Sequence, residues 1–524
     1  MIRVAKVEEM RNLDSETIKG VGIPGLVLME NAGRGVVEEL LDVFDDLNGL
    51  RVVIVCGRGN NGGDGLVVAR YLDSLGAMVK VYLTSEEKDV KGDAKIQLDL
   101  AKKLDIKIKS VSGSGSFSAF RRALQETDVV IDAMLGTGAK GKLPDQLLRI
   151  VSMVNNIEVF KVAVDAPTGV EMDRGSLMGD AFRADLTVTF GLPKRGHFLF
   201  PGREYCGQLS IVDIGIPKKV IDESSISAAV VEWEDAHYFL PERPPDAHKG
   251  TCGTVLIISG SVGFTGAAAL AGQAALLCGA GLVHLGVPQS LNDILEAKLT
   301  EVITKPLPET ESRSLSIKAL GKSLELAENA SCVAIGPGLS QHPETKELVV
   351  ELLKRVNRPI VLDADGINAI SDDPGILAKR RWPTVITPHP GELGRLIGEA
   401  PADINSDRIE YASRWAEEWG VILLLKGAPT VISHPDGFTC INSTGNAGLA
   451  SGGTGDVLTG AVSSLIAQGQ SPFQSAVAAS YFHGLAGDEA MAERGEMGLT
   501  ATDVLDLLPF VLAGDLDIED EDIE

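Results

Sequence analysis

At 524 residues the chain exceeds what one hydrophobic core serves, so roughly two to four domains are expected. A formal net charge of −25 opposes binding to DNA, RNA or an anionic membrane, which excludes nucleic acid as the expected substrate. Six scattered cysteines, with no CxxC pair and no His-Cys cluster, exclude a disulfide framework and a structural zinc site and suit a reducing, cytoplasmic setting.

The first residues, MIRVAKVEEMRNLD, carry acids and lack a long apolar stretch, so no secretory signal is expected. Val4 to Phe44 reads as helical. From residue 51 short β-branched runs then alternate with helical stretches: RVVIVC (51–56), VKVYLT (79–84), DVVIDA (128–133), EVFKVAVDA (158–166) and ADLTVTF (184–190). Such alternation predicts a mostly parallel sheet with helices on both faces. A polar and proline-rich break follows, and the domain boundary is placed near 218–235, giving a first domain over 1–220 and a second over 235–514.

In the second domain the pattern restarts with TVLIISG (254–260), LVHLGVP (282–288), SCVAIGPG (331–338), RPIVLDADG (358–366), TVITPHPG (384–391) and VILLLKG (421–427). The apolar stretch from Gly266 to Pro288 is long enough to span a bilayer. Its alanines and interrupting glycines instead predict a buried helix followed by a buried strand, and no membrane association is expected. The tail from Asp515 to Glu524, seven acids in ten residues, reads as a solvated end without a function.

Ligands of open α/β sheets sit at the carboxyl ends of the strands, which is where the unusual residues of both halves gather. After RVVIVC comes GRGNNGGDG, in which Gly57, Gly59 and Gly62 match G-x-G-x-x-G between a strand and a helix, the setting for a dinucleotide's pyrophosphate. The alternative is an ordinary tight turn. Asn60, Asn61 and Asp64 add amide and carboxylate oxygens that a bare cofactor loop does not need. Asp132 stands before Gly136-Thr137-Gly138, and Asp165 and Thr168 end another strand. Helix capping would explain either aspartate alone, but explains the recurrence less readily. Oxygens from Asn61, Asp132 and Thr168 suit a hard cation.

NNGGDG, DAMLGTG and VDAPTGVEMD together resemble the NAD(P)H-hydrate epimerase family, over residues 1–215. That resemblance implies a Rossmann-like domain. Asn60, Asn61, Gly62, Gly63 and Asp64, with Gly136, Thr137, Gly138, Ala139, Lys140, Gly141 and Lys142, would hold a hydrated nucleotide. Asn61, Asp132 and Thr168 would bind potassium, and Asp165 would stand at the reacting hydroxyl. The family usually carries serine where this chain has Thr168, and isoleucine where it has Ala166.

In the second half, NAGLASGGTGDVLTG (446–460) offers glycines followed by a helix, an anion site with Asp456 at its mouth. Asp456 either complements the helix dipole or deprotonates a hydroxyl attacking a phosphoryl group. Lys426 ends a buried strand, either reaching solvent or pairing with phosphate. No GxxxxGK[ST] is present. HKGTCG, SGSVGFTGAAALA, GPGLS, DADGINA, TPHPGEL, KGAPT and GGTGD, in that order, resemble the ADP/ATP-dependent NAD(P)H-hydrate dehydratase branch of the ribokinase-like superfamily, over about 240–510.

This second resemblance implies that Ala267, Gly338, His389 and Asp456 contact the hydrated nicotinamide nucleotide, with Asp456 catalytic. Lys426, Gly427, Ala428, Pro429, Thr430 and Gly455 would hold ADP or ATP, with magnesium. Where the family commonly has GPGLG, this chain has Ser340. Two three-layer α/β/α domains are thus expected, a Rossmann-like epimerase and a ribokinase-like dehydratase, and the pair implies repair of hydrated NADH and NADPH by a cytoplasmic homo-oligomer, a tetramer or larger. A small-molecule kinase for the second half, or a nucleotide-sensing module for the first, are the alternatives.

Overall fold

The computed structural model describes residues 1–111 and 116–514, and the acidic tail at 515–524 lies outside the described residues. The chain forms two compact units, Ile2–Ser227 and Ala228 onward.

The sheet of the first unit contains β1 (Arg51–Cys56), β2 (Met78–Leu83), β3 (Lys107–Ser110), β4 (Val129–Ala133), β5 (Phe160–Val164), β6 (Leu186–Phe190) and β7 (Gln208–Val212), ordered β3-β2-β1-β4-β5-β6-β7. Every neighbouring pair is parallel. Alternate residues of the central strands feed two different cores. Val52, Ile54, Cys56, Val129 and Ile131 pack on one side with residues of α2 (Gly25–Phe44), α3 (Asn60–Ser74) and α4 (Gly92–Lys103). Val53, Val55, Val130 and Ala163 pack on the other with the helices Ser116–Leu124 and Asp145–Asn155. A strand with both faces covered is apolar at most positions, which is why RVVIVC after its exposed first residue reads as a continuous apolar run. A further helix, α1 (Val7–Ser15), precedes α2.

NNGGDG is not a loop, as its glycines suggested, but the first turns of α3. Glycine is needed there because the helix starts hard against the sheet. A Cβ on Gly62 would stand 2.0 Å from the carbonyl oxygen of Gly57, a contact no side chain survives. The low helix propensity of glycine is overridden by this packing.

In the second unit the strands are β8 (Ala228–Val230), β9 (Thr254–Ile258), β10 (Leu282–Pro288), β11 (Ile303–Leu307), β12 (Cys332–Ile335), β13 (Ile360–Leu362), β14 (Thr384–Ile386), β15 (Ile422–Leu425), β16 (Val431–Ser433) and β17 (Thr439–Ile441). Their order is β8-β17-β16-β15-β14-β13-β12-β9-β10-β11. The run from β11 to β15 is parallel, and β16 pairs antiparallel with both β15 and β17. Val255, Ile257, Val283, Leu285 and Leu424 share a core with the alanine-rich α5 (Thr265–Leu277) and with α6 (Thr454–Ala467) and α7 (Pro472–Arg494). The segment from Gly266 to Pro288 is accordingly a helix and then a strand, and no helix among the described residues is long and apolar enough to cross a membrane.

Candidate active sites

In the first unit, β1, β4 and β5 end side by side. Their following residues line a cleft of about 560 Å3 that includes Asn60, Asn61, Asp64, Gly136, Thr137, Gly138, Ala139 and Asp165. Of the other expected binding residues, Gly62, Gly63, Lys140, Gly141 and Lys142 are not on its wall. Gly62 and Gly63 are buried inside α3, and Lys140 faces Asp173 at 3.6 Å. Arg11, Asp14, Arg58 and Lys194 line the same cleft and were not anticipated from the sequence. The two arginines give the wall of this cleft cationic groups of a kind suited to phosphate.

Asp165 is held on all sides. Its backbone takes a left-handed turn, φ 65°, at the end of β5, a conformation that aspartate tolerates better than most residues. Its Oδ1 accepts a hydrogen bond from Lys194 Nζ at 2.7 Å and one from Thr189 Oγ1 at 3.1 Å. Lys194 is buried, and its Nζ also donates to Thr189 Oγ1 at 2.8 Å and to the Phe190 carbonyl at 3.2 Å. His197 receives the backbone N–H of Lys194 on Nδ1 at 3.0 Å, so its Nε2–H points to the Asp165 carbonyl at 3.0 Å. Burial and the neighbouring Lys194 push His197 down to about 3, which leaves it neutral.

The carboxylates of this cleft separate by environment. Burial raises Asp165, but the Lys194 charge and hydrogen bond more than reverse this and hold it below the usual carboxylate value. Asp64 is pushed well up by burial and then by the Asp165 and Asp14 charges. Asp14 is raised too, by burial first. One carboxyl thus gives up its proton more readily than usual, beside two that hold theirs more tightly than usual.

The three expected cation ligands behave differently. Asp132 is fully buried, which pushes it up to about 6 against the hydrogen bonds it accepts. Those come from the Thr168 N–H at 2.7 Å, Thr168 Oγ1 at 2.8 Å and the Met134 N–H at 3.0 Å. Asn61 is buried with neither its Oδ1 nor its Nδ2 hydrogen-bonded. A buried amide without a partner is costly unless something absent satisfies it. An unpartnered amide oxygen is the kind of ligand a hard cation takes, while Asp132 and Thr168, the other two expected ligands, are hydrogen-bonded to each other.

The second site lies at the carboxyl ends of β9, β12, β13, β14 and β15. Asp363, directly after β13, is its buried hub. Oδ1 accepts from Lys426 Nζ at 2.8 Å and from Thr387 Oγ1 at 2.7 Å, and Oδ2 accepts from Thr459 Oγ1 at 2.9 Å. Although DADG stood out in the sequence, Asp363 was not assigned a role there. Glu392 lies 3.9 Å from Lys426 and caps its own helix by accepting from the His389 N–H at 2.8 Å. Burial lowers Lys426, yet Asp363 and Glu392 outweigh it and keep the ammonium charged.

Asp456 occupies the first turn of α6, after the left-handed Gly453. Burial and then the Asp363 charge push it up to about 7, with Lys426 opposing. Gly455 sits beside Lys426, since a Cβ there would lie 3.3 Å from Nζ. The loop Lys426 to Thr430 is anchored from beneath by the buried Arg408, which donates to the carbonyls of Leu425 at 3.1 Å, Lys426 at 2.7 Å and Pro429 at 3.0 Å. Ala267 and Gly338 come together, because a Cβ on Gly338 would stand 3.2 Å from that of Ala267. Ser340 adopts φ 71°, the left-handed conformation for which glycine is suited, and its N–H donates to Asp365 Oδ2 at 2.9 Å. A separate hollow of about 540 Å3 around Trp382 contains none of the expected site residues.

Two family models match the chain: the YjeF-related protein N-terminus over residues 25–196, and NAD(P)H-hydrate dehydratase over 255–509. A bifunctional NAD(P)H-hydrate repair enzyme of Moorella thermoacetica is 45% identical over 505 residues, 96% of this chain and 95% of its own length. One from Escherichia coli K12 is 32% identical over 504 residues, 96% of this chain and 92% of its own. Among solved structures, the ADP/ATP-dependent NAD(P)H-hydrate dehydratase of Bacillus subtilis, co-crystallised with ATP and Mg2+, is 32% identical with a TM-score of 0.48. It covers 55% of this chain and 99% of its own.

Proposed function

The chain belongs to the family of bifunctional NAD(P)H-hydrate repair enzymes, and from that premise we propose that its first unit interconverts the R and S hydrates while its second dehydrates the S form. The observation that carries the reading is Asp456, a carboxyl pushed up to about 7 at the mouth of a glycine-lined helix terminus. A base with that affinity is half ionised near neutral pH, where proton abstraction is most efficient.

In the second unit Asp456 takes the proton of the 6-hydroxyl as the terminal phosphoryl group of ADP or ATP passes to that oxygen, releasing AMP or ADP. Phosphate then leaves with the C–O electrons as C5 gives up a proton, and the ring double bond returns. Hydroxide is a poor leaving group and phosphate a good one, so a kinase-like site suits an elimination. Lys426 and the N–H groups around Gly455 face the transferring phosphoryl group, and Lys426 to Thr430 seat the adenine nucleotide. Magnesium bound with the nucleotide would neutralise phosphate charge. Ala267, Gly338 and His389 flank the nicotinamide side. Either ADP or ATP serves as the phosphoryl donor on this reading.

In the first unit the hydroxyl-bearing carbon is bonded to the ring nitrogen. Opening that C–N bond removes the hydroxyl proton, leaves a carbonyl and returns a proton to the nitrogen; closure on the other face inverts the centre. Asp165 receives the hydroxyl, while Asn60, Asn61, Asp64 and the loop from Gly136 to Lys142 hold the nucleotide. Asn61, Asp132 and Thr168 would hold potassium, which would supply a fixed positive charge near the phosphates. A cytoplasmic homo-oligomer completes the reading.

The test is incubation with mixed hydrate epimers and ADP or ATP, followed by chromatographic resolution of substrates and products. Conversion of both epimers to NADH or NADPH with release of free phosphate is expected. A stable phosphorylated product would instead mark a small-molecule kinase.

A further inference from the structure

We propose that Lys194 is the positioning residue of the epimerase cleft, fixing Asp165 as an ionised, oriented acceptor in a site that also contains Asp14 and Asp64. The inference rests on the epimerase reading and adds to it a residue that neither the family motifs nor the glycine-rich loops point to.

Three observations carry it. Lys194 is 1% exposed yet lines the cleft together with Asp165. Its ammonium makes three hydrogen bonds, to Asp165 Oδ1 at 2.7 Å, Thr189 Oγ1 at 2.8 Å and the Phe190 carbonyl at 3.2 Å, which use all three of its protons. Thr189 in turn donates to the same Oδ1 at 3.1 Å, so both hydrogen bonds to the carboxylate converge on one oxygen. A buried lysine is costly unless its charge is answered, and among the described residues Asp165 is the carboxylate paired with it.

The groups facing Asp165 come from several elements. Lys194 and the neutral His197 lie after β6, Asp64 comes from α3 and Asp14 from α1, with Arg11 and Arg58 elsewhere on the cleft wall. Without Lys194, burial and the two other carboxyl groups would all favour the protonated form of Asp165. A protonated Asp165 cannot accept the substrate's hydroxyl proton. Lys194 therefore decides which of the three carboxyl groups is the acceptor, without itself exchanging a proton.

The experiment follows epimer interconversion by the full chain across pH 5 to 9, for the wild type, Lys194→Met, Lys194→Arg and Thr189→Val. Lys194→Met should lower kcat about 100-fold at neutral pH with little change in KM. It should also move the acid limb of the profile upward by about one to two pH units, so that raising the pH restores part of the loss. Lys194→Arg should keep the wild-type acid limb, and Thr189→Val should shift it upward by less than Lys194→Met. Thermal unfolding of each variant shows whether the first unit is intact. If Lys194→Met does not fold, the other two variants decide.

A pH-independent loss, or Lys194→Arg no better than Lys194→Met, would overturn the inference. Failure of the wild type to interconvert the epimers at all would instead overturn the epimerase reading beneath it.

Discussion

Each half of the chain sets a lysine against an aspartate at the end of a parallel strand, and the two pairs serve opposite ends. In the first unit Lys194 takes Asp165, the very carboxylate expected at the reacting hydroxyl, and holds it ionised. In the second, Lys426 is already committed to Asp363, and Asp456 is left to feel Asp363 as a repelling neighbour. The same ion pair therefore yields a carboxylate held below its ordinary value in one place and a base raised to about 7 in the other. What matters is whether the reactive carboxyl is the lysine's partner or a bystander to the pair.

The contrast breaks most severely at Asp456. Asp456→Asn should reduce ADP-dependent dehydration of the S epimer by about 1,000-fold, read as recovery of NADH absorbance. Epimer interconversion should be unaffected, and unchanged dehydration would remove Asp456 from the mechanism. The wild-type pH profiles offer the next test. Dehydration should fall about tenfold per unit below pH 7, because the folded Asp456 binds a proton there, as the value of about 7 requires. Epimerisation should stay nearly level between pH 5 and 8, since Asp165 lies below the ordinary carboxylate value.

Asp363→Asn should sharpen the comparison further. Removing the repelling charge lowers Asp456, so the acid limb of dehydration should move down by about one unit even as Lys426 loses its partner and the maximal rate drops. An upward shift would mean that Lys426, rather than Asp363, dominates Asp456. Arg408→Met leaves the carbonyls of Leu425, Lys426 and Pro429 without their donor and should destabilise the second unit by about 3 kcal/mol in denaturant unfolding. The smallest effect belongs to Ser340→Gly, which relieves a left-handed serine and should stabilise by about 1 kcal/mol or less in the same measurement.

The strands legible in the sequence are those buried on both faces, where apolar residues run without interruption: β1, β4, β9 and β15. Three that escaped, β3, β7 and β11, lie at sheet edges. Edge strands can be polar, as KIKS is, or contain a proline, as ITKPL does. The hairpin of β16 and β17 is only three residues on each side, although Asp436-Gly437 between them was a usable turn signal.

In the sites, glycine-rich motifs pointed to the right strand ends, but the charge that organises each one did not stand in a glycine loop. Lys194 follows a strand whose Thr187 and Thr189 are both fully buried, and two buried hydroxyls in an apolar strand are the signal that a polar partner lies nearby. Asp14 had no such signal, because a polar turn of an amphipathic helix looks the same whether it faces water or a cleft.

The near-contact between Gly455 and Lys426 has a consequence for how the second site could drift. The gap that a single missing methyl leaves there is just wide enough for an ammonium to lie across the start of α6. An alanine at this position would press on the lysine and ask its ammonium to give way by a few tenths of an ångström, moving it off the helix end where the two positive poles meet. Side-chain chemistry and backbone polarity are thus tied to one another by an absence, and the shortest residue in the motif is the one that sets the distance between them.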